Sequence, residues 1–271
     1  MLLKNKLLAC CLGLIAAFPA FAEGVRLTDE VTSALTEESP FSSNINLVSN
    51  YLYRGISLTG GKPAIQGGSD FERAGFYVGF WGSSISKPGD LFVESKGAAG
   101  ASNAGLELDT YLGFKKKLAN DFSYDVGFLR YNYPGTYTVG ATREDTNEVY
   151  GAAGYKWITA KYSYSLGNTF GHANTTGTNY LELNAVYPIE SLGVALGAHY
   201  GKQTFVGAGA IDINNGNSLT YSDYKLSATK ELDEEFEFSL AYSKTNATAA
   251  YTVLGQNLGK GAVIATITRV F

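Results

Sequence analysis

Two histidines, His172 and His199, and a scatter of carboxylates are the side chains through which this sequence could do acid–base or metal chemistry. A hydrolase site on a β-strand needs a His with a Ser or Asp at close spacing and a polar group to orient it. His172 stands beside Ala173 in a loop-like stretch, and His199 is followed by Tyr200-Gly201, so neither has that company. The stretch Asp212-Ile213-Asn214-Asn215-Gly216-Asn217, with Asp223 at the twelfth place, has the outline of a calcium loop. Its Gly falls one position early and the closing Glu is missing, so a solvated, turn-rich loop accounts for it better. Gly207-Ala208-Gly209 has no helix after it to make a nucleotide fingerprint. Cys10 and Cys11 are the only cysteines. These residues point to no catalytic group, no metal and no cofactor: the reading is of a protein that is not an enzyme.

The remaining charged residues follow a different logic. Arg54, Glu107, Asp109, Asp125, Glu148, Lys161, Glu182, His199, Asp223, Lys225 and Glu237 each sit in a ribbon where polar and apolar residues alternate. Leu106, Leu108, Leu112 and Phe114 take one face of such a ribbon and Glu107 and Asp109 the other. Phe122, Tyr124, Val126 and Phe128 oppose Asp125, and Phe236, Phe238, Leu240 and Tyr242 oppose Glu237. Period two is the side-chain period of a strand, and a carboxylate turned to lipid costs kilocalories at mid-bilayer. The charged set is therefore expected to line an interior and the Leu/Phe set to face lipid. The pairs Glu107–Asp109 and Glu237–Asp223 read as parts of a mixed-charge lining with Arg54, Lys161 and Lys225 rather than as an acid–base couple. Small residues at Gly79, Ala152, Gly154, Ala195 and Gly197 are expected to leave room between them. Over Phe76 to Ile85 both faces carry aromatics, and parity alone does not orient the ribbon.

Twelve such ribbons are expected, at about 44–56, 64–72, 74–85, 105–116, 121–133, 146–157, 158–167, 178–188, 191–201, 219–231, 235–245 and 261–271. On the first, Ile45, Leu47, Ser49, Tyr51 and Tyr53 share a face, and Asn46, Val48, Asn50, Leu52 and Arg54 share the other. Most ribbons have the length a tilted strand needs to cross a bilayer, and the even count suits a closed barrel. Short turns (72–75, 117–121, 157–158, 188–191, 232–235) alternate with long loops (57–63, 86–104, 134–145, 168–177, 202–218, 245–260). That alternation is the signature of short periplasmic turns and long external loops. Repeated hairpins read as a meander, so the fold expected is all-β: a transmembrane antiparallel up-and-down β-barrel of about twelve strands.

The N-terminus reads as a signal peptide over residues 1–22, with Lys4 and Lys6, an apolar run from Leu7 to Phe18, and Ala20-Phe21-Ala22 as the cleavage site. Its removal takes both cysteines and shifts the formal charge from −4 to about −6, which gives no nucleic-acid footprint. Residues 23–43 read as a periplasmic leader, or as a short plug that enters the lumen, and residues 44–271 as the barrel. The run Lys115-Lys116-Lys117 is expected to anchor a turn at the headgroup boundary. A terminal Phe271 after alternating Val263, Ala265 and Ile267 has the form of the signal read by outer-membrane assembly machinery, although Arg269 departs from the usual aromatic or apolar residue.

Several stretches resemble the TorF-like porin family of proteobacterial outer-membrane proteins: VSNYLYRGIS (Val48 to Ser57), GKPAIQGG (Gly61 to Gly68), GFYVGFWGSSIS (Gly75 to Ser86), LELDTYLGF (Leu106 to Phe114), DFSYDVGF (Asp121 to Phe128), AKYSYS (Ala160 to Ser165) and YLELNAVYP (Tyr180 to Pro188). The resemblance implies a barrel of this size in the cell outer membrane, in contact with its lipid, and a role in solute passage. Two functional readings stay open. One is a porin passing ions or small polar solutes, with a weak cation preference from its slightly acidic lining. The other is a closed structural or surface-binding barrel whose lumen is occluded by the leader or the long loops.

Overall fold

The computed structural model of the protein describes residues 39–86, 103–137, 139–140, 142–212, 216–233, 235–253 and 255–271. The stretch read as a signal peptide, most of that read as a leader or plug, most of the 86–104 loop and the middle of the 212–217 loop lie outside the described residues. Twelve strands close into one barrel: β1 (Phe41–Val48), β2 (Ala64–Arg73), β3 (Phe76–Ser84), β4 (Leu106–Lys117), β5 (Phe122–Asn132), β6 (Thr146–Tyr155), β7 (Ile158–Ser165), β8 (Asn179–Ile189), β9 (Val194–Thr204), β10 (Tyr221–Glu231), β11 (Phe236–Thr245) and β12 (Ala262–Val270). Each pairs antiparallel with its neighbours in the chain, and β1 closes the ring against β12 with Asn44 opposite Val270. Closure pairs both edges, which is what allows a sheet to stand in lipid without exposing unsatisfied backbone. No described helix is long and apolar enough to cross a membrane.

The expected alternation of connections is present. Tight turns at 74–75, 118–121, 156–157, 190–193 and 232–235 gather at one end, with the start of β1 and the end of β12, and the long loops gather at the other. Two of the tight turns, 74–75 and 156–157, are two-residue hairpins. Ala74 and Gly75 take φ of 53° and 87° between the paired Arg73 and Phe76, the left-handed geometry that matches strand twist.

The faces divide as alternation requires. Leu112, Phe122, Val126, Leu183, Leu226 and Leu240 are exposed on the outside. Phe76, Phe122, Tyr155 and Tyr187 ring the barrel toward the turn end, and Tyr164, Tyr200, Tyr224 and Tyr242 toward the loop end, as amphipathic rings do at two membrane interfaces. The ribbon that parity left undecided is now oriented: Phe76, Val78 and Phe80 point out, while Tyr77, Trp81 and Ser83 are buried.

Two expectations about the first strand are corrected. β1 begins at Phe41, and it ends at Val48 rather than running on to 56. Ile45 and Leu47 face outward, but Tyr51 and Tyr53, expected on the same face, are buried inside the barrel at 3% and 6% exposure. After Val48 the chain leaves the wall and forms a small hairpin, Leu52–Tyr53 against Ile56–Ser57, turned at Arg54-Gly55. An infolded hairpin has the same period of two as a wall strand, so the pattern could not separate them.

Candidate functional site

The lumen is built from inward residues of opposite walls that differ in size. On β3 to β6 the inward set includes three tyrosines that each lie over a glycine on the neighbouring strand. Tyr77 is register partner to Gly113, Tyr111 to Gly79 and Tyr150 to Gly127. A Cβ on Gly127 would stand 2.6 Å from the Tyr150 ring, and one on Gly79 would stand 2.5 Å from the Asp70 carboxylate and the Tyr111 hydroxyl. The room expected at Gly79 is thus taken by its neighbours, and Ser123 and Ser227 do the same at Gly154 and Gly197. The opposite wall, β9 to β12, presents Ala195, Gly197, Ser227, Thr229, Ser239, Ser243, Thr266 and Thr268 inward, a surface of hydroxyls and small groups.

The infolded hairpin crosses the loop end of this lumen. Arg54, expected on a wall strand, sits instead at the hairpin tip. Its guanidinium donates to Glu148 on β6 through Nη1 at 3.1 Å and Nη2 at 2.7 Å, and to the Gln203 amide oxygen on β9 at 2.7 Å. Both charged side chains of that pair are 1% exposed. The guanidinium carbon stands 4.3 Å from the centre of the Tyr180 ring and 4.9 Å from that of Tyr53. Tyr53 donates to the Tyr131 hydroxyl at 2.8 Å, and Phe170, brought in by the 166–178 loop, packs edge-on against both rings. Bidentate guanidinium–carboxylate geometry is the strong form of such a pair, and burial makes it stronger and its loss more costly.

The other charged residues distribute around this bridge. Glu107 and Asp109 on β4 are fully buried, with Tyr133 donating to Glu107 at 3.2 Å. Asp125 on β5 accepts from Tyr77 at 2.6 Å, and the Tyr77 and Tyr150 hydroxyls touch. The Lys161 ammonium on β7 stands 3.8 Å from the centre of the Tyr150 ring. On β8 to β10 a polar cluster joins Glu182, Asn184, His199, Asp223 and Tyr180. Asn184 donates to Glu182 at 3.0 Å, Tyr180 donates to Asp223 at 2.9 Å, and the His199 ring nitrogens meet Asn184 at 2.6 Å and Asp223 at 2.9 Å. Lys225 is half-buried beside His199 in the strand register, and Glu237 is buried on β11. His199 therefore has Asp, Asn and Tyr partners and no serine among them, and His172 packs its ring 5.3 Å from that of Phe205. Among the described residues no group of three or more His, Cys, Asp or Glu could hold a metal ion.

Tyr131, Tyr180, Gln203 and Phe170 belong to the site and were not singled out from sequence. The first three were legible in principle, since each shares the inward parity of a charged residue on its strand. Phe170 was not, because no periodicity describes a loop.

Residues 33–271 match Gcw_chp, a family described as bacterial proteins of unknown function. The chain belongs to that family. A search of curated proteins returns no match. Among solved structures the fold is similar to the NanC porin, at 8% identity and a TM-score of 0.50 over 85% of this chain and 98% of that one. It is also similar to the KdgM porin (10% identity, TM-score 0.47, 85% and 99% coverage) and to an outer membrane channel from Pseudomonas putida F1 (12% identity, TM-score 0.44, 87% and 97% coverage). At 8% identity the likeness to the NanC porin shows a shared barrel fold. A closed antiparallel barrel of twelve strands with a lipid-facing apolar band is an outer-membrane barrel.

Proposed function

We propose that this barrel is a narrow porin, and that ions or small polar solutes pass along its hydroxyl-lined wall. The observation that carries this is the asymmetry of the lumen at mid-depth. Gly197, His199, Lys225, Ser227 and Ala241 remain partly accessible, whereas Tyr77, Tyr111 and Tyr150 across the barrel are buried. The partly accessible Ser227 and Lys225 side chains offer a passing solute replacement hydrogen bonds, and the aromatic wall narrows the cross-section. Glu107, Asp109, Asp125, Glu148, Glu182, Asp223 and Glu237 outnumber Arg54, Lys161 and Lys225, so the lining favours cations. Planar-bilayer recording of the refolded protein under a salt gradient tests both parts. Small stepwise openings with a reversal potential toward cations are expected, and a reversal potential toward anions overturns the charge assignment. The TorF-like resemblance across Val48 to Pro188 and the porin folds of the structural neighbours support the same reading. It includes no catalytic step.

The second reading, a closed barrel with an occluded lumen, is favoured by one observation: the hairpin 51–58 and the Arg54–Glu148 pair fill the loop end. Properly refolded protein that never opens would support it. Under either reading we assign residues 1–22 to export, 23–43, of which Phe41 to Ser43 open β1, to a periplasmic leader or short plug, and Phe271 to recognition by the assembly machinery.

A further inference from the structure

The hairpin is held at two levels by different means. Its base is stitched by backbone and short polar contacts: the Ser57 N–H donates to the Leu258 carbonyl at 3.0 Å, the Ser86 N–H to that of Leu58 at 2.9 Å, and the Gln256 amide to the Gly60 carbonyl at 2.9 Å. Asn50 gathers the Ser57 and Thr59 hydroxyls at 2.6 and 3.1 Å. The tip is held by side chains alone, chiefly Arg54. Both tip residues are left-handed, Arg54 at φ 46° and Gly55 at φ 78°. A Cβ at Gly55 would stand 2.5 Å from Thr245 and 2.7 Å from Asp223, so the turn is pressed against the β10–β11 wall. Glycine suits such a turn, but arginine does not adopt this conformation by preference. The two-residue turn itself requires a positive φ here, as at Ala74, and the arginine that occupies it carries its guanidinium to Glu148, Gln203 and Tyr180.

We propose that Arg54 is a positioning residue that latches the hairpin inside the barrel and thereby sets the cross-section of the passage. With the guanidinium on Glu148, Gln203 and Tyr180, residues 51–56 seal the aromatic side of the lumen and leave only the hydroxyl wall to solutes. Without it, Glu148 stays buried with the Tyr131 hydroxyl at 3.4 Å in place of a bidentate guanidinium, and the tip keeps the Tyr53–Tyr131 hydrogen bond and its ring packing but loses its charged link to β6 and β9. The base contacts then act as a hinge, and the hairpin swings toward the loop mouth, where Glu148 regains water. This rests on the channel reading for its consequence but not for its motion.

The test separates the two. In the full chain, Ile56→Cys places a thiol beside the hairpin tip, where the native side chain is 4% exposed; Cys10 and Cys11 lie in the segment read as a signal peptide. Labelling of intact cells with a membrane-impermeant maleimide is expected to be slow in this background. Adding Arg54→Ala should speed it on the order of a hundredfold, the shift expected when a buried charge pair loses one partner. Arg54→Lys should fall between, because lysine keeps the charge but not the two-pronged fork. Heat-modifiable gel migration reports whether each barrel has assembled. Should Arg54→Ala fail to assemble, Glu148→Gln and Gln203→Ala weaken the same latch from the wall. Equal labelling rates in the parent and all assembled latch variants overturn the proposal. Bilayer recording of the same proteins then reads the consequence: larger openings in Arg54→Ala are expected. A silent parent with raised labelling in the variant would leave the latch standing and remove the porin. A conducting parent with unchanged labelling would do the reverse.

Discussion

Arginine at Leu240 is the sharpest challenge to the claim that the Leu/Phe face meets lipid. Leu240 is 47% exposed on β11, between Phe236 at the turn end and Lys244 at the loop end. A strand rises about 3.4 Å per residue, and a tilt near 40° leaves about 2.6 Å along the barrel axis. Leu240 therefore lies about 10 Å from each of those two residues, near the middle of an apolar band about 25 Å tall. An arginine side chain there must snorkel or deform the bilayer, and the expected loss is about 2–4 kcal/mol, against about 0–1 for Lys244→Arg at the rim. Reversible guanidinium unfolding from lipid vesicles, followed by the fluorescence of Trp81 and Trp157, measures both. A Leu240→Arg loss no larger than that of Lys244→Arg would refute the assignment of faces, and with it the claim that this barrel spans a membrane.

Two further outcomes follow from single contacts. Gly113→Ala should destabilise by about 1–3 kcal/mol in the same unfolding assay, because its Cβ would overlap the Tyr77 phenol and stand 2.6 Å from the Val126 carbonyl, whereas Gly151→Ala meets nothing within 4 Å and should be nearly neutral. Deleting Phe271 removes an exposed ring whose backbone N–H reaches the Ser43 carbonyl at 2.9 Å and over which Arg269 lies at 4.6 Å. If it is a recognition signal, the deletion lowers the amount of barrel in the outer-membrane fraction while refolding in detergent is unchanged; an equal loss in both assays would make its role structural.

The Arg269 that looked out of place at the end of β12 has a local explanation. Its guanidinium pairs with Glu235 at 2.8 Å across the turn and lies over the terminal ring. The pair is exposed at the barrel rim, so it contributes little to stability and serves mainly to seat the last strand beside β11.

From residues alone, the strand period, the sign of each face, the short–long alternation of connections and the even strand number were all legible. They depend on chemistry local to each segment: a strand shows two faces, lipid refuses charge, and a hairpin needs a turn. That is why the alternation in sequence is enough to turn Glu107, Asp109, Asp125 and Glu182 inward, where they are buried. What local pattern cannot carry is where a ribbon stands relative to the rest of the chain. Residues 49–56 alternate as well as any wall strand, yet only closure of the barrel creates the interior into which they fold. Arg54 meets Glu148 across 94 positions in sequence and Gln203 across 149, and no spacing rule joins them. Likewise, glycines that look like empty space in a sequence become seats for Tyr77, Tyr111 and Tyr150 once register sets the rings beside them. Alternation decides which way a side chain points, and only the closed barrel decides what it then meets.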